Sequence, residues 1–313
     1  MKAMPQRRRG AGAARGCAHA AVAVAGLAAV LPALAQQLPA PAPPAEGAVL
    51  ATGSEALRSG RSEPLWELGF GAAAVRFPDY RGSDEASTYV LPLPFVAYRG
   101  RFLRADRDGA RAILFAGRRL EIDVSLNAST PTKSKDNDAR SGMRNLPGTF
   151  EIGPNANIEL WQSGDRRYRV DLRLPVREAI TIEKSPHAIG VTFQPNLNLD
   201  IRNFDGAWNI GMLAGPLFAS RRYHQHFYGV DADDATASRP AYDARGGYSG
   251  WRATMAFSRR IGPAWLGGFV RYDDLSGARF AASPLVRTER AWFAGFGISW
   301  LIASSDARVV TDD

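Results

Sequence analysis

The chain has 313 residues, with 39 Lys and Arg against 31 Asp and Glu, and a single cysteine. Five of the basic residues (Lys2, Arg7, Arg8, Arg9, Arg15) and no acidic one fall in residues 1–35, so the formal charge of +8 drops to 34 − 31 = +3 for the remainder. That near balance gives nucleic-acid binding no electrostatic footprint. One cysteine excludes a disulfide framework, and no run after residue 35 approaches the ~18 apolar residues of a transmembrane helix.

The chain opens on the basic stretch, followed by an almost wholly apolar, Ala-rich segment from Ala18 to Leu34. Small residues at Ala33 and Ala35 then make residues 1–35 a secretory signal cleaved between Ala35 and Gln36. The alternative, an N-terminal anchor, asks for ~20 strongly apolar residues, and this segment is shorter and weaker. Residues 36–64, rich in Pro, Ala and Gly without a sustained period, are expected to form a flexible periplasmic leader.

From Leu65 the period is two. Leu120, Ile122, Val124 and Leu126 alternate with Glu121, Asp123, Ser125 and Asn127, and Tyr168, Val170, Leu172 and Leu174 with Arg169, Asp171 and Arg173. Residues 189–202 keep the alternation throughout. Such runs are half-buried strands. About twelve are expected, near 65–78, 87–98, 101–106, 110–117, 119–128, 149–161, 167–182, 188–202, 207–220, 247–259, 264–273 and 287–302. No 3.6-residue period competes with them, so the fold class is all-β.

The connections sort by parity. Even-numbered strands end in tight turns such as "GRR" (117–119), "SGDRR" (163–167) and "NFDG" (203–206), while most odd-numbered ones end in long loops at 78–88, 128–148, 221–246 and 273–287. An even strand count with tight turns at one end and long loops at the other is the layout of an antiparallel outer-membrane β-barrel. The expected organisation is a barrel over 65–302 and a short polar C-terminal tail over 303–313.

The segment "AWFAGFGISW" (291–300) fits that layout. Trp292, Phe296, Ile298 and Trp300 share one face; Ala291, Gly295, Gly297 and Ser299 share the other, with Phe293 the bulky exception. Large apolar groups outward and small ones inward suit lipid outside and a crowded lumen inside. Elsewhere Glu121, Asp123, Glu151, Glu159, Arg169, Asp171, Arg173, Asp200 and Arg202 point inward, which predicts a lumen crossed by ion pairs; a small aqueous pore is the alternative.

Three blocks carry a family resemblance. The first has Tyr89, Pro92 or Pro94, Tyr98 and Gly100; the second, Tyr228, Gly229, Val230, Ser238, Tyr242, Gly246 and Gly247; the third, Arg271, Tyr272, Leu275, Ser276, Ser283, Pro284 and Val286. In order and spacing they resemble the MipA/OmpV family of outer-membrane proteins, over residues 65–302. A proline cannot donate to a ladder, so a bulge is expected at Pro92 and Pro94. One departure is that Trp300 is followed by "LIASSDARVVTDD", whereas barrels of this kind usually finish on an aromatic residue.

Candidate chemistry is sparse. His224 and His226 in "YHQH" share a face if that segment is extended, near Asp231, Asp233 and Asp234, and could hold Zn²⁺ or Cu²⁺; dispensable loop residues are the simpler reading. Ser185 and His187 lie too close in one loop to mark a hydrolase. No catalytic residue, metal site or cofactor is therefore expected. The resemblance implies a non-enzymatic scaffold for a murein lytic transglycosylase and a penicillin-binding protein, seated among outer-membrane lipid and lipopolysaccharide. A small-solute channel or uptake barrel, or a surface ligand-binding protein, stays open as an alternative.

Overall fold

Alternating apolar and polar residues, punctuated by Gly, Asp and Asn in the turns, build one antiparallel wall. The computed structural model describes residues 61–311 apart from 101–102 and 107–108. The expected signal, its cleavage point at Ala35–Gln36 and most of the leader lie outside the described residues.

The elements in order are β1 (Arg61–Pro64), β2 (Trp66–Pro78), β3 (Ala86–Arg99), β4 (Leu103–Asp106), β5 (Gly109–Ala116), β6 (Leu120–Ser129), β7 (Gly148–Gln162), β8 (Tyr168–Ile182), β9 (Ala188–Phe193), β10 (Asn196–Phe204), β11 (Trp208–Ala219), α1 (Arg221–Tyr228), β12 (Gly247–Ile261), β13 (Ala264–Asp274), β14 (Arg290–Ser304) and β15 (Arg308–Thr311). Neighbours pair antiparallel from β2 round to β14, and β14 pairs back on β2, with Gly295 opposite Val75 and Ser304 opposite Glu67. β9 and β10 are two halves of one stave, since both bond to β8 and to β11. The break falls at Pro195, which has no N–H to donate. The wall is thus a closed barrel of twelve staves.

Faces follow the alternation. Trp292, Phe296 and Trp300 are 66%, 49% and 50% exposed on the outer face, whereas Phe293 and Ser299 turn inward and are buried. Polar groups fill the inside: Glu67, Asp123, Glu151, Asn155, Asp171, Asn198 and Asp273 are all buried. Parity also holds, with the tight turns at 117–119, 163–167, 205–207 and 262–263 at one end and the long connections at 79–85, 130–147, 220–246 and 275–289 at the other. By the usual barrel layout these ends are periplasmic and extracellular. None of the described helices is long and apolar enough to cross a membrane.

Three features depart from the reading of the sequence. Residues 221–228 are a helix, although no helical period was expected there. No bulge lies at Pro92 or Pro94, because β2 and β3 pair without a shift from Trp66↔Tyr98 to Pro78↔Ala86. The Arg99 N–H bonds to the Leu65 carbonyl on the β2 side, so odd positions of β3 face β2 and the two prolines turn their nitrogens to the opposite edge. Finally, the last residues assigned to the leader pair with the tail: β1 and β15 form a separate two-stranded ribbon, Arg61 opposite Thr311 and Pro64 opposite Arg308.

Candidate functional site

The four long connections at the extracellular end fold on one another. Tyr80 from the β2–β3 connection, Leu146 from β6–β7, Tyr228 and Ala244 from β11–β12, and Leu275 and Phe280 from β13–β14 make one buried apolar cluster. The loops thus carry a small core of their own over a polar lumen.

The helix α1 is the centre of this cap. Ser220 precedes it and accepts from the Tyr223 N–H, and Gly229 follows it, its N–H bonded to the Gln225 carbonyl at 3.0 Å. Tyr223, His224, Phe227 and Tyr228 fall at helical spacing on one face. Tyr228 stacks on Phe280 with the rings 6° from parallel, and its carbonyl accepts from the Ser283 hydroxyl at 2.7 Å. The segment returning from the helix passes so close that a Cβ on Gly246 would sit 2.6 Å from the Arg221 nitrogen, and Gly247 follows at φ +126°. Both positions require glycine.

His224 is fully buried. Its Nδ1 lies 2.6 Å from the Arg245 carbonyl, which can only accept, so Nδ1 carries the proton and Nε2 accepts from the Ser249 hydroxyl. This is a structural bridge from the helix to β12, and it corrects the reading of His224 as dispensable. His226 lies two residues on, about 200° round the helix, so the two imidazoles diverge where an extended segment would have aligned them. Among the described residues no group of three or more His, Cys, Asp or Glu could hold a metal. His187 instead pairs with Glu183 at 3.0 Å, within its own loop.

Charged anchors hold the cap to the wall. The carboxylate of Asp273, 1% exposed, accepts from Arg81 Nε at 2.7 Å and from Arg252 Nε at 2.9 Å. Arg271 lies 3.4 Å from the same carboxylate, with its guanidinium over the Phe293 ring. Across the lumen Tyr223 donates to Glu151 at 3.2 Å, and burial, then the Glu151 charge, holds this phenol well above its usual range. A cavity under α1 is lined by Glu151, Thr192, Tyr223, Ser249, Arg81 and Arg252. Arg140 reaches the Phe227 carbonyl at 3.2 Å, and Arg239 reaches the carbonyls of Ala139 and Ser141.

At the periplasmic end Glu67 takes Arg99 at 2.9 Å and Arg260 at 2.7 Å, the latter from three staves away. Between the ends, ion pairs run along the wall: Arg169 with Asp171 at 2.8 Å on one strand, Arg173 with Asp200 at 3.7 Å on the next stave. The interior charges expected from alternation are present, and Arg169, Asp171, Arg173 and Asp200 pair along one strand or with the adjacent stave.

The second and third blocks singled out in the sequence meet here. Tyr228, Gly229, Gly246, Gly247, Ser283 and Pro284 lie in the cap, Arg271 beneath it, and Ser276 at its rim, bonding to Asp274 and Glu289. Tyr272 stands apart on the outer face against Trp292 at 4.8 Å. The first block is elsewhere: Tyr89 faces inward on β3 against Phe77, Pro92 outward, and Tyr98 and Gly100 at the periplasmic end. Arg81, Glu151 and Asp273 are the anchors whose partnership no local pattern signalled.

A family description, "MltA-interacting protein MipA", matches residues 70–302. The chain belongs to this family. It is 25% identical over 223 residues to outer membrane protein Omp26La of Vibrio anguillarum, covering 69% of this chain and 80% of that protein. To outer membrane protein OmpV of Vibrio cholerae it is 24% identical, with the same coverage. Among solved structures it is similar to a bacterial polysaccharide outer membrane secretin, at a TM-score of 0.37 and 10% identity over 76% of this chain and 99% of that one. The family, its relatives and the barrel together make this an outer-membrane protein.

Proposed function

We propose that the barrel is a non-enzymatic scaffold that holds murein-remodelling enzymes, a lytic transglycosylase with a penicillin-binding protein, against the inner face of the outer membrane. The family's description supports the first partner. The observation that carries the reading is the chemistry of the periplasmic rim: its tight turns expose Arg118, Arg119, Arg166 and Arg167. Clustered guanidiniums steer and hold an acidic protein surface, and such binding weakens with salt. Retention of a lytic transglycosylase on the purified barrel at low salt, lost in the quadruple variant with Arg118, Arg119, Arg166 and Arg167 changed to Glu, is the expected result. A barrel that retains neither enzyme yet forms stable channels in planar bilayers would support a solute channel instead. The bonded cap over the lumen disfavours that second reading.

A further inference from the structure

The barrel wall is low on one side. β3 has 14 residues, but the hairpin beside it has only four in β4 and eight in β5. β4 pairs with β3 through Tyr98 and Arg99 alone, and among the described residues no strand pairs with that edge of β3 between Ala86 and Ala97. Chain length imposes this. Twenty residues, 100–119, separate β3 from β6 and must supply two strands and their turns.

An open strand edge invites another strand. Here Pro92 and Pro94 both turn their nitrogens to that edge, so two of its donors are missing and strand addition is disfavoured. The outer face beside it is apolar, with Val90 75% and Val96 49% exposed. These residues sit opposite Ala74 and Leu68 of β2, level with the lipid-facing belt.

The lumen behind the gap is two-sided. Leu91, Leu93 and Phe95 of β3 face inward and are half-buried. Phe95 packs on Trp265 of β13 at 5.6 Å, and between them Gly295 and Gly297 of β14 leave a smooth floor under Phe269 and Leu93. Opposite, β7 and β8 present Asn155, Asn157, Asp171 and Arg173. One half of the interior is therefore apolar, and it adjoins the gap. The cap bonds across the route from above, so the open side faces the bilayer.

We propose that this low wall is a lateral port through which an acyl chain of a bilayer phospholipid enters the lumen and lies along the apolar sector from β3 to β13. The headgroup stays outside, and the paired charges of β7 and β8 confine the chain to that sector. The source is the membrane, since the port opens at the depth of the hydrocarbon, and the prolines disfavour a protein strand as occupant.

The test uses the full barrel in vesicles of bacterial phospholipid doped with a phosphatidylcholine carrying a diazirine in one acyl chain, with cross-links mapped by mass spectrometry. Outward Val90 and Val96 label in any case. Labelling of inward Leu91, Leu93 or Trp265 is the expected result, falling to background in Leu93→Gln while the outward labels and the heat-modifiable band are unchanged. Labelling confined to outward residues would overturn the port. So would inward labelling by a free diazirine fatty acid but not by the phospholipid, which would make the ligand a soluble amphiphile.

Discussion

The Tyr80 hydroxyl donates to the Leu285 carbonyl at 2.7 Å, joining two extracellular loops 205 positions apart in the sequence. Burial raises the Tyr80 phenol, so it remains a donor at any physiological pH. Tyr80→Phe keeps the ring and removes the donor, leaving a buried carbonyl unsatisfied at a cost of about 1–3 kcal/mol. The expected outcome is faster tryptic cleavage at Arg279 or Arg287 in the reconstituted protein, with the barrel's heat-modifiable band unchanged.

The cap should loosen in acid. Burial first, then the charges of Arg140 and His187, push His226 down to about 4, and burial lowers His224 as well. Unfolded histidine titrates near ~6.5, so between these values the unfolded loop binds more protons than the folded one. The stabilisation is complete above that unfolded value and is lost as pH falls towards about 4. Protease protection of the loops, followed over this range, should decline with pH, and His226→Gln should flatten the decline. A profile identical in the variant would remove His226 from the explanation.

Neighbouring substitutions on β14 should act by different physics. Phe296→Arg places a charge on the lipid face and should cost ~2–4 kcal/mol if it lies near the midplane. Gly297→Arg faces inward, where even a Cβ would stand 2.9 Å from Leu93 and 3.1 Å from Ala73; it should act by crowding. Replacing Gly297 with Ala should then reproduce part of that loss, whereas Phe296→Ala should be milder than Phe296→Arg. Urea titrations in lipid vesicles read both.

Asp273→Asn tests the anchor. Three guanidiniums, those of Arg81, Arg252 and Arg271, lose their shared buried carboxylate, and breaking such a pair costs about 3–5 kcal/mol. The wild type should pass little steady current in planar bilayers, while the variant should show opening events as the β2–β3 connection lifts. Unchanged current with unchanged stability would mean that the apolar cluster alone holds the cap.

The staves were legible because each obeys a two-residue period that lipid and lumen enforce at every position, as Leu120 to Leu126 illustrate. The cap was not, because its contacts join distant loops: nothing near Arg81 announces Asp273. The helix is not legible, because the eight residues that put Tyr223, His224, Phe227 and Tyr228 on one face make too few turns for a periodic signal, and the spacing of His224 and His226 fits an extended segment equally well. Pro92 and Pro94 carry a signal that a sequence read strand by strand assigns to a bulge, where the structure has none. In a complete wall a proline forces a bulge, and the incompleteness of this wall depends on counting residues up to β6. The ribbon of β1 and β15 has no amphipathic signature, since four residues a side are too few for an alternation to show.

That ribbon bears on the order of assembly. β1 immediately precedes β2 and β15 immediately follows β14, the two strands whose pairing closes the cylinder. Their partners in the ribbon come within reach only once the seam has zipped, so the ribbon can form last and acts as a latch over the join. Any unzipping that begins at the periplasmic end must first undo it. Amide exchange at the periplasmic end of β14 should therefore accelerate when residues 308–311 are removed, while exchange in β7 and β8, on the far side of the cylinder, should not change.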